Sequence, residues 1–438
     1  MSANNNLVAR SLRSVWHPCT QMKAHERLPM VAVSHGKGAW LYDFEGRRYL
    51  DAISSWWVNL FGHANERINA AVVAQLQRLE HVILAGSTHE PAVALSERLS
   101  ALTGGRLGHC FFASDGSSAV EVALKMSYHF WRNRGQPDRS RFAYLTGAYH
   151  GETTGALSVG DVALFRDAYA PLLRSGFPVP SPDWRNASPG ESALDTARRC
   201  AETLEKTLRE HERQIAALIV EPLVQCANGM GMYDPEYLRL ARTFCDRYDV
   251  HLIADEIAVG FGRTGSFLAC EQAGILPDLL CLSKGITAGY LPLSVVLSTD
   301  AIYDAFYDDE VSRGFLHSHS YTGNPLACAA ALAALSIFEE DAVIEANRGR
   351  AARLSELTRP IAAHPRVRNF RRTGMIWAFE VEGVGPLFAR RFSAAALERE
   401  LLLRPIGNTV YFMPPYVIDE EQCQLLAART LELVERVR

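Results

Sequence analysis

Long apolar runs are missing from this chain. The longest, residues 325–338, falls short of the roughly 20 apolar residues that cross a bilayer and reads instead as a core helix. Paired cysteines are missing too. The nine cysteines include no C-x-x-C, their number is odd, and a chain of 438 residues needs no covalent staples. Reduced thiols in a cytoplasm are therefore expected, and no metal centre is assigned. No basic block is long enough to mark a nucleic-acid or lipid surface, since 45 basic side chains face 49 acidic ones for a net charge of −4. The first ten residues are polar and Asn-rich, unlike a secretion signal. There is no internal repeat and no low-complexity segment. What is present is an ordinary globular composition, in a chain long enough for two domains or for one with a substantial appendage.

Taken in order, residues 1–30 read as loosely ordered up to Val15-Trp16-His17-Pro18, a cluster suited to docking on a body. Residues 40–51 read as a hairpin turning at Glu45-Gly46. Ile68, Val72, Leu76 and Leu79 recur at helical spacing over 65–81, and a second helix is expected at about 91–102. Strands then alternate with helices. Strands are predicted at 110–113, 141–146, 216–220, 250–254, 279–282 and 293–297, and helices at 118–134 and 235–248. This alternation implies an α/β fold, with a mainly parallel sheet and helices on both faces. The Pro-, Ser- and Gly-rich stretch 175–192 reads as a surface loop. Beyond 338 the pattern changes to a helix at 343–357, an alternating strand at 373–380, a strand at 409–413 and a terminal helix from Glu420. The expected domains are a large one over 65–325 and a smaller α+β one over 326–438, joined by residues 1–64 with their hairpin.

Two strand ends organise the chain. His251-Leu-Ile-Ala-Asp255 ends in a carboxylate, and Leu282-Ser-Lys284 follows 29 positions later with one lysine. An aspartate and a lysine so presented suit pyridoxal phosphate (PLP). The amine joins the aldehyde as a Schiff base, and the carboxylate keeps the pyridine nitrogen protonated so that the ring draws electrons. The same two residues also occur as a surface lysine and a plain strand end in other α/β proteins. Ser114-Asp115-Gly116-Ser117-Ser118 is a strand, a tight turn and a helix start, which serves either as a phosphate cradle or as an ordinary N-cap. Tyr149, in Gly147-Ala-Tyr149-His150-Gly151, stacks on a flat ring or has no role. Gly260–Gly265 lacks a following helix, so it reads as a close-packed loop over the cofactor and not a dinucleotide site. Ser318-His319-Ser320 precedes Thr322-Gly323-Asn324-Pro325, where hydroxyls hold phosphate or Thr322 or Asn324 caps a helix. Trp56 and Trp57 are core or pocket wall. Arg404, followed by Pro405, is a carboxylate clamp or a surface ion pair.

Together, Asp255 with Lys284, Tyr149-His150-Gly151, Glu221-Pro222, Gly262-Arg263-Thr264-Gly265 and Gly323-Asn324-Pro325 resemble class III PLP-dependent aminotransferases of fold type I, from about Trp16 to Pro415. A narrower set resembles the adenosylmethionine–8-amino-7-oxononanoate aminotransferase family of biotin synthesis. That set is Trp16-His17-Pro18, Ser54-Ser-Trp56-Trp57, Ala254-Asp255-Glu256-Ile257-Ala258, Leu280-Cys-Leu-Ser-Lys284, Asn324-Pro-Leu-Ala-Cys328 and Arg404-Pro405.

The resemblance implies a cytoplasmic homodimer with active sites at the subunit interface. Lys284 would be the Schiff-base lysine and proton carrier, and Asp255 would pair with the pyridinium. Tyr149 would stack near the ring, completing a catalytic set with those two. Gly116 and Ser117 would hold the phosphate, and Ser320, with His319 beside it, would reach it from the partner subunit. Trp56 and Trp57, Ser318 and Arg404 would meet substrate, Arg404 by the carboxylate of the oxononanoate. The donor, S-adenosylmethionine, carries a sulfonium suited to an aromatic wall.

Three positions depart from the family's pattern: Cys19 stands where a tyrosine is usual, Ser318-His319-Ser320 where Gly-Pro-Thr is usual, and Glu152 where an aspartate is usual. The first bears on the amino donor, which is lysine in some members. The competing readings are an ω-amino acid or diamine transaminase, a PLP aminomutase or decarboxylase, and a non-enzymatic descendant.

Overall fold

Ile215-Ala-Ala-Leu-Ile-Val220 has no polar side chain, a composition suited to a strand covered on both faces. In the computed structural model, which describes residues 2–26 and 28–438, all six are buried inside a seven-stranded sheet. Across that sheet the order is His109–Ala113, Ser294–Ser298, Leu279–Leu282, His251–Asp255, Ile215–Val220, Arg141–Leu145 and Phe177–Val179. The last five run parallel. Ser294–Ser298 is antiparallel to both its neighbours. The carboxyl ends at Ala113, Leu145, Val220, Asp255 and Leu282 therefore open on one edge, where α/β sheets bind ligands. The Gly116–Asn133 helix buries Ala119, Val120, Ala123 and Phe130 in a core shared with Ile219, Ile253, Cys281 and Val296 of the sheet.

The chain divides into two compact units. Arg67–Ile344 holds the seven-stranded sheet, and the chain up to Glu66 joins Glu345–Arg438 in the other. The second crossing lies at 344/345 and not at 325/326. The Pro325–Glu340 helix goes with the sheet because it packs on Glu90–Leu102 and on the Lys284–Thr287 turn. In the unit of the two ends, Val33–Lys37, Trp40–Asp43 and Arg48–Asp51 form a meander, and Leu401–Leu402 adds to it in parallel. Val367–Thr373, Ile376–Val381 and Thr409–Phe412 form a second, antiparallel sheet.

Four expectations change. The stretch read as loosely ordered begins with a helix, Ala3–Ser14. Its asparagines are poor helix formers, but Ser2 caps it and Asn4 is buried, donating to Asp43 at 2.9 Å and accepting from the Phe44 N–H at 3.0 Å. The helix expected over 65–81 ends at Leu76, where Arg78 and Leu79 N–H turn back onto the Gln75 carbonyl. The 175–192 stretch contains the edge strand Phe177–Val179 and buried Ser181 and Asp183, and is followed by a helix, Ala193–His211, opened by a Ser192/Asp195 capping box. The single strand expected at 373–380 is the second half of a hairpin that turns after Thr373.

Behind Asp255, Glu256 is fully buried and accepts from the N–H groups of Ala269 at 2.6 Å and Cys270 at 2.8 Å. Burial outweighs those donors and pushes its carboxyl up to about 7. The folded chain then keeps a proton that an unfolded chain releases. This stabilisation is complete below the ordinary glutamate range and is lost as pH rises through about 7. Urea midpoints of wild type and Glu256→Gln, taken from pH 5 to 8, are expected to diverge upward in favour of the variant. The slope is at most about 1.4 kcal/mol per pH unit. Parallel curves would refute the assignment.

Candidate active site

The His251–Asp255 strand ends with the Asp255 side chain almost wholly buried. Its Oδ1 accepts from the Ile257 N–H at 3.0 Å, and its Oδ2 lies 2.7 Å from Nδ1 of His150, itself buried. Among the described residues, His150 Nε2 meets no hydrogen-bond partner. A histidine held on one side by a carboxylate orients that carboxylate in return. Glu221, one residue past the Ile215–Val220 strand, sits in the same cluster. It accepts from the Tyr149 N–H at 3.0 Å and the Cys226 N–H at 3.2 Å, and burial pushes its carboxyl up to about 7. The Tyr149 loop is thereby fixed from below, and its hydroxyl donates to Glu152 at 3.0 Å.

Lys284 begins the turn after the Leu279–Leu282 strand, with φ at +44°. A side-chain-bearing residue there is strained by roughly 1–3 kcal/mol, a cost that clusters at functional sites. Some of the residue's surface stays accessible, but its amine end is desolvated. That burial draws the amine down from the ordinary lysine range, against the opposing pull of Cys226, Asp255 and Glu221. An amine so placed is readier to act as a nucleophile and base.

The phosphate-type turn lies beside these groups. Asp115 caps the Gly116–Asn133 helix, taking the Ser118 N–H at 3.0 Å. A Cβ on Gly116 would meet Ile257 at 3.0 Å, so the helix start lies flat against the chain leaving Asp255. Gly151, at φ +119°, approaches so closely that a Cβ would sit 1.9 Å from Ser117 Oγ. Ser117 Oγ in turn accepts from the Glu152 N–H at 3.2 Å. The structure thus brings Gly116, Ser117, Tyr149, Asp255 and Lys284 into one neighbourhood. The Gly260–Gly265 loop is buried close by, with Thr264 bonded to Val259 and Gln272.

Ser318 and Ser320 are exposed, and His319 turns toward His317, 3.3 Å away between Nε2 atoms. His317 Nδ1 faces Lys125 at 2.7 Å. Thr322 bonds back to His319, while Asn324 caps the Pro325–Glu340 helix. Helix capping, one of the two uses open for this stretch, is therefore observed.

In the unit of the two chain ends, Trp57 is buried and donates to Tyr411 at 3.1 Å, a core residue and not an exposed wall. Trp56 stays 40% exposed, with the Arg404 guanidinium 4.5 Å over its ring. Arg404 also donates to the Cys19 carbonyl at 3.3 Å. Both tryptophans lie on a turn, Ser54–Trp57, whose four φ values are all positive. Each left-handed residue with a side chain costs roughly 1–2 kcal/mol.

The residues of the Arg67–Ile344 unit fit PLP. Gly116 and Gly151 let the chain close tightly around the start of the Gly116–Asn133 helix, whose N–H groups suit a phosphate. Asp255 presents a carboxylate braced by His150 and a backbone N–H, and Lys284 offers a desolvated amine. The sequence motifs contained His150 and Glu221 without giving either a task. Their position beyond the carboxyl ends of strands in an α/β pattern, Glu221 directly and His150 in the following loop, was the available clue.

Residues 21–433 match the family described as aminotransferase class-III. The adenosylmethionine-8-amino-7-oxononanoate aminotransferase of Helicobacter pylori is 45% identical over 451 residues, covering 100% of both chains. The protein of that name from Geobacter sulfurreducens is 41% identical over 429 residues, 94% of each chain. The crystal structure of the one from Methanocaldococcus jannaschii superposes with a TM-score of 0.93 at 33% identity, covering 99% of both chains. A PLP-bound amine transaminase from an uncultivated Pseudomonas species gives 0.91 at 33% identity, over 96% of this chain and 98% of that one. With a desolvated lysine, a braced aspartate and a glycine-opened helix start at the carboxyl edge of its sheet, and with relatives along its full length, the chain belongs to the class III aminotransferases, which work through PLP.

Proposed function

We propose that the chain transfers the amino group of S-adenosylmethionine to 8-amino-7-oxononanoate, forming 7,8-diaminononanoate for biotin synthesis. The observation that carries this reading is the full-length similarity to proteins bearing that name, at 45% identity in one case. Bound PLP supplies the electron sink for removing a proton from the carbon that bears the amine. Lys284 takes that proton at Nζ and returns it on the other side of the exchange, since burial keeps the amine available as a base. Asp255, braced by His150, holds negative charge toward the ring nitrogen. Glu221 fixes the Tyr149 backbone, so that the aromatic ring stays in place. Gly116 and Ser117 receive the phosphate. Trp56 offers an aromatic face to the acceptor chain and, in the other half of the exchange, to the donor's sulfonium, and Arg404 offers a planar fork to the carboxylate of the acceptor.

The working unit in this reading is a cytoplasmic homodimer. Ser320 and Tyr321 are exposed, as are Tyr307, Val311 and Leu316 near them, which suits a segment covered by a second copy. From that position Ser318, His319 and Ser320 serve the partner's site. All nine cysteines are free thiols, as in a reducing compartment, and no described helix is long and apolar enough to cross a membrane.

A half-reaction tests the assignment. Protein with bound PLP is mixed with S-adenosylmethionine alone, and the visible absorbance of the cofactor is followed. Conversion to the aminated cofactor, reversed by 8-amino-7-oxononanoate, is the expected result. Conversion by lysine instead would move the donor, with Cys19 as the residue to exchange first. Conversion by neither would leave a class III enzyme of other substrates.

A further inference from the structure

Ser54, Ser55, Trp56 and Trp57 have φ values of 50°, 46°, 74° and 73°, one complete turn of left-handed helix without a glycine. Chains of L-residues avoid this handedness, so the surroundings must impose it. The anchors are visible. Asp51, fully buried, accepts from the Ser55 N–H at 2.8 Å and the Ser55 hydroxyl at 2.7 Å. Its second oxygen also lies 3.0 Å from His63 Nε2. The Asn59 amide faces the other ring nitrogen of His63 at 3.2 Å, which leaves Nε2 to donate to Asp51. His63 is locked by paired backbone bonds to Gly38, and Gly62 runs so close to Gly38 that a Cβ would sit 2.9 Å from its backbone. At the turn's two ends, Ser54 donates to the Met413 carbonyl at 2.7 Å and the Trp57 indole donates to Tyr411.

The handedness decides which side chain faces out. Ser54 and Trp57 are buried, and Trp56 is offered to the outside beneath Arg404. We propose that Asp51, backed by His63, is a positioning residue. It acts through Ser55 to hold the left-handed turn, and so fixes Trp56 and Arg404 as a preformed wall for the long acceptor. The inference rests on the reading above that Trp56 and Arg404 bind the oxo acid. A fixed wall lowers the cost of ordering side chains when the acceptor binds, so its loosening shows in the acceptor's KM and not in the chemistry.

Ser55→Gly separates this role from folding. Glycine adopts the left-handed region freely, so the variant holoenzyme is expected to melt at or near the wild-type temperature while losing the hydroxyl link. The KM for 8-amino-7-oxononanoate is expected to rise about tenfold. The kcat at saturation is expected to stay within about threefold, with cofactor content and absorbance unchanged. Asp51→Asn, if it folds, is expected to give the same split. An unchanged acceptor KM in Ser55→Gly overturns the positioning role. The companion variant Trp56→Ala tests the reading underneath. If Trp56→Ala raises the KM and Ser55→Gly does not, the positioning role alone fails. If neither raises it, the assignment of the wall fails and the inference goes with it.

Discussion

Replacing Lys284 with alanine is expected to abolish turnover. The side chain is both the covalent anchor and the base in the proposed cycle, and proton transfer alone contributes roughly 10²–10⁴-fold. A fall of about 10⁴-fold or more in kcat is the expected measurement. The fold should persist, because removing a desolvated amine at a strained φ takes away an unfavourable burial as well as its contacts. Two readouts separate chemistry from structure. The thermal midpoint should stay close to wild type, and the cofactor, no longer anchored covalently, should be lost on gel filtration. Undiminished transamination would remove Lys284 from the mechanism.

Asp255→Asn is the second large effect. The amide keeps the size and one acceptor, so the Ile257 N–H at 3.0 Å can remain bonded. It cannot carry negative charge, and its amide end meets His150 Nδ1, now 2.7 Å from the carboxylate. Loss of a preorganised charge in a buried site costs on the order of 10³-fold in rate. The donor half-reaction is the place to measure it, because it isolates the step in which electrons move toward the ring nitrogen. Cofactor binding should survive in weakened form, since the phosphate turn at Gly116 and Ser117 is untouched. A rate within tenfold of wild type would show that the ring nitrogen needs no charge partner here.

Much of this site was legible before any coordinates. Asp255 ends a short apolar strand and Lys284 follows one, and strand ends of an α/β pattern are where such groups converge. Gly116 was in view as part of a tight turn, and its close packing on Ile257 explains the glycine. His150 was in view but had no task, because its partner lies 105 residues away in sequence. Glu221 was equally visible, yet its bond to the Tyr149 N–H spans 72 residues. Trp57 could be core or wall by composition. In the fold it is buried and bonded to Tyr411, a partner 354 residues away that no local pattern shows. The left-handed turn left no mark at all, because it has no glycine and is imposed by Asp51 and its neighbours. The Ala193–His211 helix escaped for a different reason. It is mostly polar, and its capping box lay next to a stretch rich in loop residues.

The unit made from the two chain ends has a consequence for synthesis. Arg67–Ile344 is one continuous stretch and can complete its own sheet while the rest is still being made. The turn carrying Trp56 must wait. Ser54 donates to Met413, 359 residues later, and Leu50 pairs with Leu401. At translation rates of about 5–20 residues per second, that interval is about 20–70 s. During it, the N-terminal hairpin leaves the ribosome with an open edge and no partner strand, a template for unwanted pairing. The turn carrying Trp56 is thus among the last parts of the molecule to form on the ribosome, and a chain cut short before Leu401 is expected to expose that edge to chaperones and proteases.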